Sequence, residues 1–405
     1  MSKERLGILG GTFNPIHAGH LAMARCALKQ ASLDRVIFLP DGMPPHKTGI
    51  ASAKERYIMI SVAICQDEHF EVSRMELDRT GTTYTFDTLT ELHRSHPKAE
   101  LFYIIGTDTL MALHTWHRPD EVLPLCTFLV APRETDYTPE EIQAEKKRLK
   151  KKGAHFIMLD MPLEPTSSTS VREKLAATGT GLGLPAVEEY CSLRGLYGMP
   201  MRIFQAEQWL DQLYQDLNIR RFAHTLGVCY AARELARLHR TDALKAETAA
   251  LLHDCAKCMP LKDMQTMCRE YALTADIQTM SSGNLLHSVA GAYLAATKYG
   301  IQDPDILRAI SCHTTGKIGM TRLDMIVYLA DKIEPGRAGY PSLEAVRAAA
   351  RVSLEKAMLL SLEGTASYVR SGSKPLHPQS LRTIEWLKSL PETTNPQQAI
   401  KEVPS

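Results

Sequence analysis

Apolar and polar positions follow two rhythms along this chain. Over the first half, short runs rich in β-branched and aromatic residues at 6–9, 35–40, 70–77, 101–106, 127–131 and 155–159 predict strands. Between them, apolar residues recur at the spacing of one helix face over 53–65, 84–93, 139–151 and 168–177. This alternation predicts βαβ units, and hence a doubly wound, mainly parallel α/β sheet covered on both faces. Ligands of such sheets sit outside the carboxyl ends of the strands, which gathers residues 10–14, 106–108 and the region of Ser168 around one crevice. From about residue 200 the strand signal ends. Helical spacing takes over at 203–217, 223–238, 245–255, 288–298, 304–311, 322–329, 343–363 and 379–390, so the second half is expected to be all-α. Glycines and a proline over 195–200 punctuate the change. The expected division is therefore 1–198, 199–390 and a loosely ordered polar tail at 391–405.

Composition narrows the partners. A chain of 405 residues exceeds what one core ordinarily serves. Its 47 basic side chains nearly balance 46 acidic ones, so bulk attraction to nucleic acid or an anionic membrane is not expected, and any bound phosphate must meet a local site. No window approaches the roughly 18 apolar residues of a membrane span, and the residues after Met1 lack the apolar stretch of a secretory signal. Nine scattered cysteines suit reduced thiols in a cytoplasmic protein. Cys255 and Cys258 have C-x-x-C spacing, but no second pair accompanies them, so helix filling is expected. Oligomerisation is left open by these numbers.

The first predicted strand ends in Gly10-Gly11-Thr12-Phe13-Asn14, followed by Pro15-Ile16-His17-Ala18-Gly19-His20. Glycines at a strand end let backbone N–H groups approach a phosphate, although the spacing is not that of the usual dinucleotide fingerprint. His17 and His20 are three apart at a helix start and share a face. There, two imidazoles can donate hydrogen bonds to a triphosphate and to the charge that builds during transfer. Far along the chain, Ser167-Ser168-Thr169-Ser170-Val171-Arg172 supplies hydroxyls, helix-start amides and a guanidinium.

Together the two segments resemble the paired signatures, H-x-G-H and S-S-T-x-[IV]-R, of the nucleotidylyltransferase superfamily, which implies a Rossmann-like domain. Over about residues 5–195, further stretches resemble nicotinate-mononucleotide adenylyltransferases: Pro44-Pro45-His46-Lys47, residues 82–89, Gly106-Thr107-Asp108 and Leu113-His114-Thr115-Trp116. The resemblance implies transfer of AMP from ATP, arriving with Mg²⁺, to nicotinate mononucleotide, releasing pyrophosphate in NAD biosynthesis. It implies that Gly10, Gly11, Thr12, Phe13, Gly106, Asp108, Ser167, Ser168 and Thr169 hold ATP with His17, His20 and Arg172, the last three being catalytic. For the acceptor it implies stacking of Trp116 on the pyridine ring, Thr83, Tyr84 and Thr85 at the nicotinate carboxylate, and His46, Lys47 and Arg133 nearby. A Trp face suits an electron-poor ring and amide donors suit a carboxylate. Asn14 stands where the family often has Asp; both are short turn formers.

The helical half carries His224, His253-Asp254, His287, His313 and Asp331, with the His-Asp pair on a helix reached through Ala249-Ala250-Leu251-Leu252. Spread over five helices of one bundle, this nitrogen and oxygen set can converge on a divalent ion such as iron, manganese or zinc. The order resembles the HD-domain phosphohydrolases, in the version with two metals. That resemblance implies His224, His253, Asp254 and Asp331 on one metal, with Asp254 bridging to a second held by His287 and His313. It also implies Lys257 (a catalytic residue too) and Arg337 as phosphate clamps. Residues 205–385 are similar to bacterial enzymes that split diadenosine tetraphosphate into two ADP, so a dinucleoside polyphosphate is the expected substrate. The alternative is a non-catalytic nucleotide sensor that regulates the transferase, or an HD enzyme acting on another nucleotide.

Overall fold

The computed structural model describes residues 3–42, 50–134, 136–162, 167–273, 275–371 and 376–391. It separates into two compact units, Met1–Pro200 and Met201–Ser405. The first unit is built on six strands: β1 (Arg5–Gly11), β2 (Arg35–Pro40), β3 (Phe70–Val72), β4 (Glu100–Gly106), β5 (Thr127–Ala131) and β6 (His155–Met158). All neighbours pair in parallel, in the order β3-β2-β1-β4-β5-β6. The strand order reverses between β1 and β4, and in such sheets a crevice opens at that point beyond the strand ends. Leu6, Ile8, Ile37, Leu39, Leu101, Tyr103, Ile105, Phe128 and Val130 form one buried cluster along the sheet. Near-continuous apolar runs in β1, β2, β4 and β5 reflect burial of a parallel sheet on both faces.

Most predicted elements recur, with corrections at their ends. The strand expected over 70–77 stops at Val72, because the Ser73 hydroxyl accepts the Met75 N–H and Asp78 N–H turns back to the Arg74 carbonyl. A short helix, Thr107–Ala112, follows β4 directly.

In the second unit every regular element among the described residues is helical. The helix Ile219–Leu238 packs on Ala243–Leu252 and on Arg322–Ile333; Gly283–Thr297 packs on Pro304–Cys312. The helix expected over 203–217 begins at Ala206. That expected over 343–363 is two, Leu343–Ala350 and Leu354–Ser371, broken where the Ser353 hydroxyl accepts the Lys356 N–H. The helix expected over 245–255 ends at Leu252, so His253-Asp254 and the two nearby cysteines lie beyond it. There the chain tightens into three-residue turns, Cys255 N–H to Leu252, Lys257 N–H to Asp254 and Met259 N–H to Ala256, before Pro260. Among the described residues no helix is long and apolar enough to cross a membrane. Of the expected tail, only Pro391 is described.

Candidate active sites

In the first unit a cavity of about 620 Å³ lies beyond the ends of β1 and β4. It brings together Gly10, Gly11, Thr12, Phe13, His20, Thr85, Gly106, Trp116, Arg133, Ser167, Ser168, Thr169 and Arg172, segments up to 162 positions apart (10 to 172). A close approach shapes it: a Cβ on Gly10 would lie 2.2 Å from the Tyr103 hydroxyl, so any larger residue there would force the buried Tyr103 to shift. The turn after β1 is held from beneath by Arg56, which is 2 % exposed. Its guanidinium donates to the carbonyls of Thr12 (3.0 Å), Asp41 (2.8 Å), Gly42 (3.0 Å) and Ala51 (3.2 Å). Thr12 also donates its hydroxyl to Asp41 at 2.9 Å. Phe13 turns the chain with a left-handed φ of 47° and buries its ring against His20 and Phe38. A side chain in that conformation is held only where its surroundings over-determine it.

His17 caps the helix Ala18–Gln30 and His20 is its third residue, with ring centroids 3.8 Å apart. Burial, reinforced by the Arg133 charge, brings the His17 pKa down to about 4. Burial, His17 and Arg133 hold His20 well below its ordinary value too. Both rings are therefore neutral at pH 7. The His17 backbone N–H donates to His20 Nδ1 at 3.2 Å, which puts the His20 proton on Nε2 and makes that nitrogen a donor. Both His17 ring nitrogens are buried without a hydrogen-bond partner among the described residues. Arg172, on the helix Ser168–Thr178, is braced by the Asn14 carbonyl (2.8 Å) and the Thr169 hydroxyl (3.1 Å). Ser167 caps that helix by accepting the Ser170 N–H at 3.1 Å.

Trp116 is half-buried, its edge against Tyr103 and Phe128, and it also lines the cavity. Thr85 opens the helix Thr85–Ser95. Four expected residues are not among those lining the cavity: His17, Thr83, Tyr84 and Asp108. Tyr84 stacks on His117 at 4.2 Å, and Asp108 is exposed and paired with Arg133 at 3.4 Å. His46 and Lys47 lie outside the described residues. Arg56, Asp41 and Tyr103 escaped the sequence reading. A lone arginine in an apolar helical run, Tyr57-Ile58-Met59-Ile60 following it, is the one signal that could have flagged Arg56.

The second unit gathers all six expected metal ligands in one buried cluster. His224 Nε2 lies 3.0 Å from Asp331 Oδ1 and 3.9 Å from Asp254 Oδ2; His253 Nε2 lies 3.3 Å from Asp254 Oδ2 and 3.9 Å from Asp331 Oδ1. The other oxygen, Asp254 Oδ1, lies 3.0 Å from His287 Nε2 and 3.8 Å from His313 Nε2, and these two nitrogens are 3.0 Å apart. Metal bonds of about 2.1 Å put neighbouring ligand atoms roughly 3–4 Å apart, so Asp254 offers one oxygen to each of two ligand sets.

Each ring is aimed from behind. His253 Nδ1 meets the Ala250 carbonyl (2.6 Å), His313 Nδ1 that of Ile310 (2.7 Å), and His287 Nδ1 that of Gly283 (3.1 Å). His224 Nδ1 meets Glu334 at 3.2 Å. Such partners fix the tautomer and leave Nε2 for a metal. Among the described residues His253 Nε2 is buried with no hydrogen-bond partner, which fits the donor atom of a metal site. Burial opposes charge on Asp254 and Asp331, yet His253 beside the first and Lys332 beside the second hold both well below the usual carboxylate range.

The position of Glu334 depends on Gly227, where a Cβ would meet its Oε2 at 2.6 Å. Cations ring the cluster: Arg221 pairs with Asp254 (2.7 Å), Lys332 with Asp331 (2.7 Å), and Arg337 lies 3.9 Å from Asp331. Lys257 Nζ sits 3.4 Å from His287 Nδ1. Arg221, Lys332 and Glu334 were not anticipated, since nothing in their spacing separates them from surface charges. Cys255 is buried and Cys258 exposed, both as free thiols.

Comparison with known proteins matches the Cytidylyltransferase-like family to residues 8–174 and the HD domain family to residues 221–336. A protein of Mycoplasma genitalium, named as a probable nicotinate-nucleotide adenylyltransferase/Ap4A hydrolase, is 30% identical over 377 residues, covering 91% of this chain and 99% of its own. A probable nicotinate-nucleotide adenylyltransferase of Clostridium novyi is 44% identical over 175 residues, 42% of this chain and 87% of its own. Among solved structures, an HD superfamily hydrolase of Clostridium acetobutylicum, ascribed to NAD metabolism, is 35% identical with a TM-score of 0.45, covering 46% of this chain and 98% of that one.

Proposed function

Because the chain belongs to the nicotinate-nucleotide adenylyltransferases, in a form continued by an HD hydrolase domain, we propose that residues 1–198 join AMP to nicotinate mononucleotide and residues 199–390 cleave dinucleoside polyphosphates. In the first reaction a phosphate oxygen of the mononucleotide attacks the α-phosphorus of ATP. The new P–O bond forms as the bond to the β-phosphate breaks, and pyrophosphate carries away the electron pair. The nucleophile is already an anion, so no general base is required; catalysis is positioning and charge stabilisation. Mg²⁺ arriving with ATP supplies further neutralisation.

The observation that carries this reading is the pair of neutral histidines at the start of the helix Ala18–Gln30, with His20 and Arg172 lining one cavity. Unprotonated rings donate from N–H without holding the product anions as a second fixed cation would. His20 Nε2–H is assigned to the transferring phosphate, Arg172 with Ser167, Ser168 and Thr169 to the β- and γ-phosphates, and the partnerless His17 ring to the same oxygens. Gly10, Gly11, Thr12, Phe13, Gly106 and Asp108 complete the ATP side. Trp116, Thr85 and Arg133 supply the ring face and donors for nicotinate, with Thr83, Tyr84, His46 and Lys47 as further acceptor contacts. Competing nicotinate and nicotinamide mononucleotides at equal concentration with ATP tests the acceptor. Preference for nicotinamide mononucleotide would overturn the assignment.

For the HD half, the donor set fits two divalent ions such as iron or manganese, with His224, His253, Asp254 and Asp331 holding one and Asp254, His287 and His313 the other. Such ions activate water and polarise phosphoryl oxygens. Around them Arg221, Lys332, Arg337 and Lys257 can bind the phosphate chain. The expected product from diadenosine tetraphosphate is two ADP. Release of ATP and AMP instead, or no cleavage by manganese-loaded protein, would refute this reading.

A further inference from the structure

Beside the metal-ligand cluster the second unit contains another cavity, about 580 Å³ in volume. Its wall includes Lys332, Arg337, Tyr340, Ser361, Thr365 and Tyr368. Three observations give it a ligand class. First, the two cations on its wall are those already turned toward the metal ligand Asp331, Lys332 at 2.7 Å and Arg337 at 3.9 Å. The cavity therefore shares two cationic residues with the surroundings of the cluster. Second, no described residue lining it is acidic, and the carboxylate nearest those cations is Asp331, with which both are already associated. Third, its remaining wall combines two phenol rings with hydroxyls. Tyr340 is held in place by donating to the Lys332 carbonyl at 3.3 Å. Flat apolar faces beside small hydroxyl groups suit a base and its ribose, and the volume falls within the usual range for small-ligand sites.

We propose that this cavity is the nucleoside subsite of the HD half: it takes the base and ribose of a nucleoside polyphosphate whose phosphates lie across Lys332 and Arg337 toward Asp331. The proposal rests on the hydrolase reading above and adds where the nucleoside is recognised. It predicts that the unit discriminates nucleotides from inorganic polyphosphates by more than charge.

The test uses the full chain, loaded with Mn²⁺ and carrying His17→Ala and Arg172→Ala to silence nucleotide binding in the first unit. ADP and inorganic pyrophosphate are titrated calorimetrically against this parent and against Thr365→Trp, which fills the cavity from an exposed helix position. Ser367→Trp serves as the second filler, also from an exposed cavity position. ADP affinity should fall roughly tenfold or more while pyrophosphate affinity stays within about twofold. Unchanged ADP affinity in both fillers, equal losses for ADP and pyrophosphate, or no ADP binding by the parent would each overturn the proposal. Diadenosine tetraphosphate cleavage is followed separately. Filler-sensitive ADP binding without cleavage leaves the subsite standing and removes the hydrolase reading; cleavage with a KM that ignores both fillers does the reverse.

Discussion

His17 shows how one residue can be chemically prepared by its surroundings. Its two ring nitrogens lie buried without partners among the described residues, and its pKa falls to about 4. Removing such a charge-stabilising donor costs about 2–4 kcal/mol in barrier. His17→Ala and His20→Ala are each expected to lower kcat for pyrophosphate release accordingly, and near-normal turnover in both would contradict their assignment. A pH dependence follows as well. The folded pKa lies below the ordinary 6.5, so the unfolded chain binds the proton first as pH falls. Stability from this group is full above pH 6.5 and is lost toward pH 4, by up to roughly 3 kcal/mol. The urea midpoint of the first unit should therefore drop across that window less steeply in His17→Asn than in the parent. At Trp116, Trp116→Ala should raise the KM for nicotinate mononucleotide more than it lowers kcat; an unchanged KM in folded protein would exclude stacking.

Among elements, two connections carry functions that no motif marks. The loop after β1 keeps its shape because Arg56, inside the helix Ala53–Ile64, binds four carbonyls. Arg56→Met leaves those carbonyls unsatisfied, and a loss of about 3 kcal/mol or more in unfolding free energy is expected, with a raised KM for ATP. Urea denaturation and initial rates measure the two effects. In the second unit, Gly227→Ala would press on Glu334 and release Nδ1 of His224. Loss of such a supporting contact typically costs 10–100-fold in metal affinity. Metal retained after dialysis against a graded chelator should fall in that proportion, with the helix content unchanged.

At the scale of the molecule, the proposed function asks both units to hold phosphate, and their sites are built differently. The first lines the mouth of a parallel sheet with glycine backbone, neutral imidazole and the guanidiniums of Arg133 and Arg172; the second buries carboxylates and imidazoles among helices and rings them with cations. Chelation separates them. Stripping divalent ions and restoring only Mg²⁺ is expected to return adenylyl transfer, while diadenosine tetraphosphate cleavage should need Mn²⁺ or iron as well. Equal rescue of both activities by Mg²⁺ would argue against a dedicated metal centre in the second unit.

Local signals in the sequence determined a good deal: the change from strand–helix alternation to pure helix, the glycine-rich strand end, both histidine motifs and the ordered His and Asp set. The periodicities, the strand end and the histidine motifs are matters of spacing within short segments, where periodicity and turn chemistry act directly; the His and Asp set, spread over residues 224–331, was legible through the resemblance of its order to the HD-domain phosphohydrolases. Element ends were decided elsewhere. The helix before His253 stops at Leu252, and β3 stops at Val72, because three-residue turns and a serine hydroxyl win over the continuing apolar pattern. Arg56 beneath the glycine loop, Tyr103 in the space of a Gly10 side chain, Glu334 behind His224 and the cavity beside Asp331 were decided only by tertiary structure. Arg56 lies 44 positions from Thr12, and His224 lies 110 from Glu334; no local rule of pattern or propensity carries information across such distances.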